Sequence, residues 1–203
     1  MTILVCPQSQ AGRVVEARSP ERIVSLLDPD ATFPEFGSPF SGGHLRLRFH
    51  DVHLSTASQV APNASHIEAF LAFLSDWQRT GPLLLHCRAG LGRSPAAAFI
   101  AACFLAPAAD ESEVARALRR ISPMARPNES LVALADSIIG RGGRMTTAIA
   151  ETGRGLPWPA VKEGLPFELP AVFQRNQEPA AMAAPDVTAP AKRGSAPVTR
   201  MTQ

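Results

Sequence analysis

Tyrosine is missing from all 203 residues of this chain. The protein therefore cannot itself be controlled by tyrosine phosphorylation. Cysteine is scarce: Cys6, Cys87 and Cys103 are an odd number at irregular spacing. They form no disulfide framework, and a reducing, cytoplasmic compartment is the expectation. No apolar run is long enough to span a membrane, and no charged segment precedes a secretory-type apolar stretch. A membrane partner is not expected. Charge is nearly balanced at +2, and no basic cluster is interleaved with aromatics, so nucleic acid is not an expected partner either. Internal repeats are absent, and the sequence does not speak to oligomeric state.

One segment stands out against this background: His86-Cys87-Arg88-Ala89-Gly90-Leu91-Gly92-Arg93-Ser94. It leaves the apolar run Leu83–Leu85 and enters a second apolar run, Pro95–Ala102, with helical character. A loop between a strand and a helix N-terminus is an anion site, because its N–H groups lack intrahelical partners and the helix dipole favours negative charge. The residues Arg88, Ala89, Gly90, Leu91, Gly92 and Arg93 are the expected phosphate cradle. Gly90 and Gly92 let the backbone curl so that successive N–H groups turn inward. The same groups favour a thiolate at Cys87, the expected nucleophile, which would attack phosphorus and form a cysteinyl-phosphate. Arg93 supplies a planar fork for two phosphate oxygens, which lysine cannot offer. Chance placement of these residues at these offsets occurs about once in a million start positions.

The rest of the chain reads as an α/β architecture: a central mixed, mainly parallel β-sheet flanked by helices. Strands are expected at Ile3–Cys6, Ile23–Leu27, Leu45–Phe49 and Leu83–His86. A helix between the last two carries Ile67, Phe70, Leu71, Leu74 and Trp77 on one face, with a capping box at Ser65 and Glu68. Three helices follow the loop. The first runs over Ser94–Leu105. The second is capped by Asp110 and Glu113 and carries Val114, Leu118 and Ile121. The third is capped by Asn128, stopped by Gly140, and has Leu131, Leu134 and Ile138 facing inward. Residues 1–145 form the expected domain, 146–173 an extended arm packed on it, and 174–203 an Ala/Pro-rich disordered tail.

The loop, together with Asp51 and Arg126-Pro127-Asn128, resembles the signature of the cysteine-dependent tyrosine phosphatases, in particular the small dual-specificity group. In general layout the likeness extends from about Ile3 to Ile139. Phe49-His50-Asp51 and Gly140–Met145 also resemble a bacterial set of predicted tyrosine phosphatases. The resemblance implies hydrolysis of phosphomonoesters without metal or cofactor, with a phosphorylated protein as partner and phosphotyrosine as the first substrate class. It implies that Ser94 donates to the Cys87 sulfur, that His86 orients the cysteine, and that Asn128 supports the site. It also implies a general acid on a loop some thirty residues before the cysteine. Asp51 fits by position; Asp28 and Asp30, which follow a strand too, stay open as alternatives. The spacing of His50 and His53 suits no closed zinc site and leaves them to shape the acid loop or to tune the Asp51 pKa. Cys6 is a candidate resolving thiol should Cys87 oxidise, and Cys103 a packing residue. A phospho-binding module without turnover, an adaptor role for the arm, and a nucleotide, RNA or lipid phosphate as substrate remain the competing readings. Only Arg88 adds charge inside the loop, which disfavours a polyphosphorylated lipid headgroup.

Overall fold

The computed structural model describes residues 1–38, 40–153, 155 and 162–173; the expected tail, 174–203, lies outside them. Eleven main elements are described in chain order: β1 (Thr2–Pro7), α1 (Ala11–Arg18), β2 (Arg22–Leu27), β3 (Gly43–Arg48), α2 (Ala64–Ser75), β4 (Leu83–Cys87), α3 (Arg93–Leu105), α4 (Glu111–Ile121), α5 (Glu129–Ile139), α6 (Arg144–Glu151) and β5 (Phe167–Pro170). The sheet order is β3-β2-β4-β1-β5. The first four of these strands run parallel, and β5 closes the edge antiparallel to β1. The sequence pattern anticipates this mixed, mainly parallel sheet because strands buried on both faces read as continuous apolar runs.

Alternation along the strands sorts the core into two layers. Val24, Leu26, Leu83, Leu85 and Cys87 pack beneath α2 and α3 in the larger one. Leu4, Cys6, Ile23 and Leu84 meet Ala11 and Val15 of α1 in the smaller. Helix α3 is the centre of the larger layer, buried from Arg93 to Cys103. Its alanine content lets the sheet and the surrounding helices approach closely. Pro7 and Leu26 are both in register with Cys87, so the carboxyl ends of β1, β2 and β4 fall level. The segments that leave them meet at one end of the sheet, where ligands of open α/β sheets bind. Among the described residues, no helix is long and apolar enough to cross a membrane.

Several local expectations need correction. Helix α2 is capped by Asn63, whose side chain accepts from His66 N–H while the His66 ring accepts from Asn63 N–H. Ser65 sits inside the first turn and donates to Asn63 Oδ1 at 2.7 Å, so Ser65 and Glu68 are not the capping box. Ile121 and Ile138 are about two-fifths exposed, at 41% and 39%. Helix α5 instead turns Leu131, Val132 and Ala135 inward, a face rotated from the expected one. The basic turn Arg141-Gly142-Gly143-Arg144 divides: Arg144 is largely exposed, and Arg141 turns into the fold. Arg141 is buried and donates to Glu111 Oε1 at 2.9 Å and to the Cys103 and Pro107 carbonyls. The carboxylate of Asp136 caps α6 through the N–H groups of Gly143, Met145 and Thr146.

Candidate active site

The loop between β4 and α3 is fastened from outside through its carbonyls. Gln8 N–H donates to Arg88 O at 3.3 Å, Gly164 N–H to Ala89 O at 2.8 Å, Arg126 N–H to Leu91 O at 2.7 Å and Asn128 N–H to Gly92 O at 3.3 Å. In a trans peptide the N–H points opposite to the C=O. Drawing these four oxygens outward therefore turns the N–H groups of Ala89, Gly90, Gly92 and Arg93 toward the other side, the cradle. Gly90 adopts φ +69°, and a Cβ on it would stand 2.8 Å from Pro7 N. Backbone freedom and close approach both require glycine there.

Cys87 is the last residue of β4 and is buried. Ser94, also buried, donates from Oγ to Cys87 Sγ at 3.1 Å. Arg93 opens α3 with its side chain only 4% exposed. Its Nη1 donates to Asp28 Oδ1 and to the Phe49 carbonyl, both at 2.7 Å. Its buried Nε finds no acceptor among the described residues. One edge of the guanidinium is thus tied to the ends of β2 and β3, and Nε lies on the other. Asp28, one of the two alternative acids, is the partner that positions Arg93. Arg88 is 77% exposed on its side chain and lies 4.0 Å from the same carboxylate. Asp30 is exposed.

Asp51 follows β3 and bends over the loop. A Cβ placed on Gly92 would lie 2.0 Å from Asp51 Oδ2, so the carboxylate rests directly on the glycine backbone. Asn128 holds it from the other side. Its Nδ2 donates to Asp51 Oδ1 at 2.8 Å, while its Oδ1 accepts from Leu131 N–H and caps α5. His50 ties the segment after Asp51 to its own start: its Nδ1 accepts from Val60 N–H at 2.9 Å. His53 ties that segment to Ser130. No group of three metal-ligating side chains occurs among the described residues.

His86 faces away from Cys87, as alternation along β4 requires. Its Nε2 lies 2.5 Å from Ser25 Oγ, which in turn reaches His44 Nε2 at 2.7 Å. Burial, reinforced by the neighbouring His44, pushes the His86 pKa down to about 4. Burial and then Arg46 push His44 down to about 4. Both imidazoles are held neutral beneath the loop. Cys6 belongs to the small layer on the opposite face from Cys87. Burial, then the Cys87 sulfur, pushes the Cys6 thiol up to about 12. A thiol held protonated is a slow partner in disulfide chemistry.

The sequence matches no protein-family model and no curated protein. Solved structures do match. The human tyrosine phosphatase-like serine/threonine/tyrosine-interacting protein superposes with a TM-score of 0.52 at 17% identity, over 68% of this chain and 90% of that one. DUSP15 gives 0.50 at 17% identity, over 72% of this chain and 89% of its own. A variant of human DUSP28 gives 0.50 at 16%, over 69% and 99%. The chain has the dual-specificity phosphatase fold. On this fold the sequence motif contributes Cys87, Arg93 and Ser94, and the packing of separate segments adds Asp28, Ser25 and Gly164. Asp28 carried a weak signal, an aspartate just after a buried strand. Ser25 and Gly164 carried none, since a serine within a strand and a glycine in a loop are common.

Proposed function

We propose that this protein is a metal-independent phosphomonoester hydrolase acting through a cysteinyl-phosphate, with phosphotyrosine in proteins as its substrate class. The observation that carries the reading is the Arg93 guanidinium. Asp28 and the Phe49 carbonyl hold it by Nη1, and the Nε edge, with a buried donor lacking an acceptor, is left for a phosphate oxygen. A buried, always-charged fork beside inward N–H groups is the electrostatic complement of a transferring phosphoryl group.

In the first step the Cys87 sulfur forms the S–P bond while the ester P–O bond breaks. Asp51 gives its proton to the departing oxygen, and Ser94 O–H steadies the sulfur. In the second step Asp51 takes a proton from water as the water oxygen bonds to phosphorus. The S–P bond breaks, and inorganic phosphate leaves with Cys87 restored. Placement supports both roles of Asp51. It sits on the loop backbone at Gly92, held by a neutral amide donor that tolerates either charge state. The name of one structural neighbour, a tyrosine phosphatase-like serine/threonine/tyrosine-interacting protein, agrees with a protein partner and does not choose among the three phosphorylated residues.

The test is a panel of phosphotyrosine, phosphoserine and phosphothreonine peptides, nucleotides, 5′-phosphorylated RNA and phosphoinositides, assayed with chelator. Turnover that survives chelation, prefers phosphotyrosine peptides and vanishes in Cys87→Ser is expected. Activity retained by Cys87→Ser would falsify the mechanism. Peptide binding without turnover in the native chain would favour a phospho-binding module, and preference for a nucleotide, RNA or lipid would replace the substrate class.

A further inference from the structure

We infer that residues 162–166, which lead into β5, are a strap that positions the phosphate loop, and that Gly164 is the positioning residue through which the strap acts. The inference rests on the phosphatase reading of the loop. Three of the four fastened carbonyls are held by segments next in space to the catalytic strand or by the turn before α5. The fourth, Ala89 O, is held by a residue seventy-five positions away, through Gly164 N–H at 2.8 Å. That bond sets the Ala89–Gly90 peptide plane. With the carbonyl drawn out, the Gly90 N–H turns into the cradle.

The strap is anchored on both sides of this contact. Before it, Glu163 Oε2 accepts from Ser9 Oγ at 2.8 Å. After it, β5 pairs with β1 from Val5↔Phe167 to Thr2↔Pro170, and Leu169 and Ala171 are fully buried. The 3-10 turn following β1 supplies Gln8, which holds the neighbouring Arg88 carbonyl. The β1–β5 pair thus grips two successive peptide planes of the loop. Gly90 lies between Pro7 and Gly164, and a side chain on either glycine would press on its neighbours. A Cβ on Gly164 would stand 3.0 Å from Gly90 O and 3.2 Å from Leu91 Cδ2, and one on Gly90 2.8 Å from Pro7 N. Glycine at 164 lets the two backbones meet without displacing either. Preorganised donors lower a barrier only when their direction is fixed before reaction. The strap fixes one of them.

The experiment uses the full chain with Gly164→Pro, which removes the donor; Gly164→Ala, which keeps it but crowds Gly90 O; and Asp110→Ala, which removes the α4 cap on Ser112 N–H, outside both strap and loop. Three quantities are read: kcat and KM for p-nitrophenyl phosphate, tungstate affinity by calorimetry in the Cys87→Ser background, and melting temperature. Removing a directly aimed oxyanion donor costs about a hundredfold or more. Loosening one by its partner should lower kcat and tungstate affinity about tenfold in Gly164→Pro. Asp110→Ala should lower melting temperature while leaving both unchanged. A folded Gly164→Pro with native kcat and tungstate affinity overturns the strap. So does a loss that merely follows melting temperature across the set, as does failure of both Gly164 variants to fold, since the role would then be structural. If the native chain lacks Cys87-dependent turnover, the phosphatase reading falls alone, and tungstate binding still decides the strap. Absence of tungstate binding in the native loop overturns both.

Discussion

Arg93 is held at one nitrogen and open at the opposite edge, and that division gives its replacement a specific outcome. Lysine would keep the charge but could not bond Asp28 and Phe49 O while also presenting a planar edge to phosphate. Arg93→Lys should lower kcat/KM for aryl phosphates by about a hundredfold or more. A smaller loss than for Cys87→Ser but a larger one than for Arg88→Lys is the expected order, because Arg88 is mostly exposed. Asp51 invites a different measurement. Asp51→Asn should slow phenyl phosphate far more than dinitrophenyl phosphate, whose leaving group needs no proton. Equal loss on both would remove Asp51 from the acid role and return the question to Asp30.

Among the elements, helix α2 offers a clear energetic test, because its cap is a reciprocal pair of local contacts. Asn63→Ala removes both halves of a reciprocal cap and should cost about 1 kcal/mol in urea unfolding. Ser65→Ala, which touches only the Asn63 side chain, should cost less than half of that; the reverse order would restore the Ser65 box read from the sequence. Why that box was misread is instructive. Ser65 and Glu68 have the right residue types at the right spacing, but Asn63 and His66 lie two residues earlier with equal spacing, and histidine rarely completes the pattern. Strands β1, β2 and β4 were legible because they are largely apolar, β3 because Leu45, Leu47 and Phe49 alternate, and β4–α3 because its motif is strong. Helix α1, Ala-Gly-Arg-Val-Val-Glu-Ala-Arg, has too few apolar residues to signal itself, and β5 is a four-residue strand that exists only because β1 has an edge to fill. The Cys87–Ser94 and Asp51–Asn128 contacts lay along the resemblance. Asp28 on Arg93 did not, because nothing local distinguishes a strand-end aspartate that meets a buried guanidinium from one that meets water.

At the scale of the whole molecule, the His86–Ser25–His44 chain ties stability to acidity. Both histidines have folded pKa values depressed to about 4, against an unfolded value near 6.5. Below about 6.5 the unfolded chain takes up protons that the folded chain refuses, so stability should fall continuously as pH drops through the window down to about 4. Above that window the contribution is flat. Melting curves from about pH 7.5 to about pH 4.5 should show this decline in the native chain and a shallower one in His44→Gln. Identical slopes would mean that these imidazoles are not the source. The same chain joins β2, β3 and β4 on the face of the sheet away from Cys87, so the loss would be global and cooperative.

Asn128 presents two chemically opposite ends to two different clients: an oxygen to the backbone of α5 and a nitrogen to Asp51. Exchanging only the nitrogen for oxygen, as in Asn128→Asp, would leave the helix start intact and put two carboxyl groups at the 2.8 Å contact, where they can bond only by sharing one proton. Under the proposed mechanism Asp51 would then share its proton with a neighbour that competes for it, and turnover should fall while the fold survives: one atom decides whether that carboxyl answers to the substrate or to the helix.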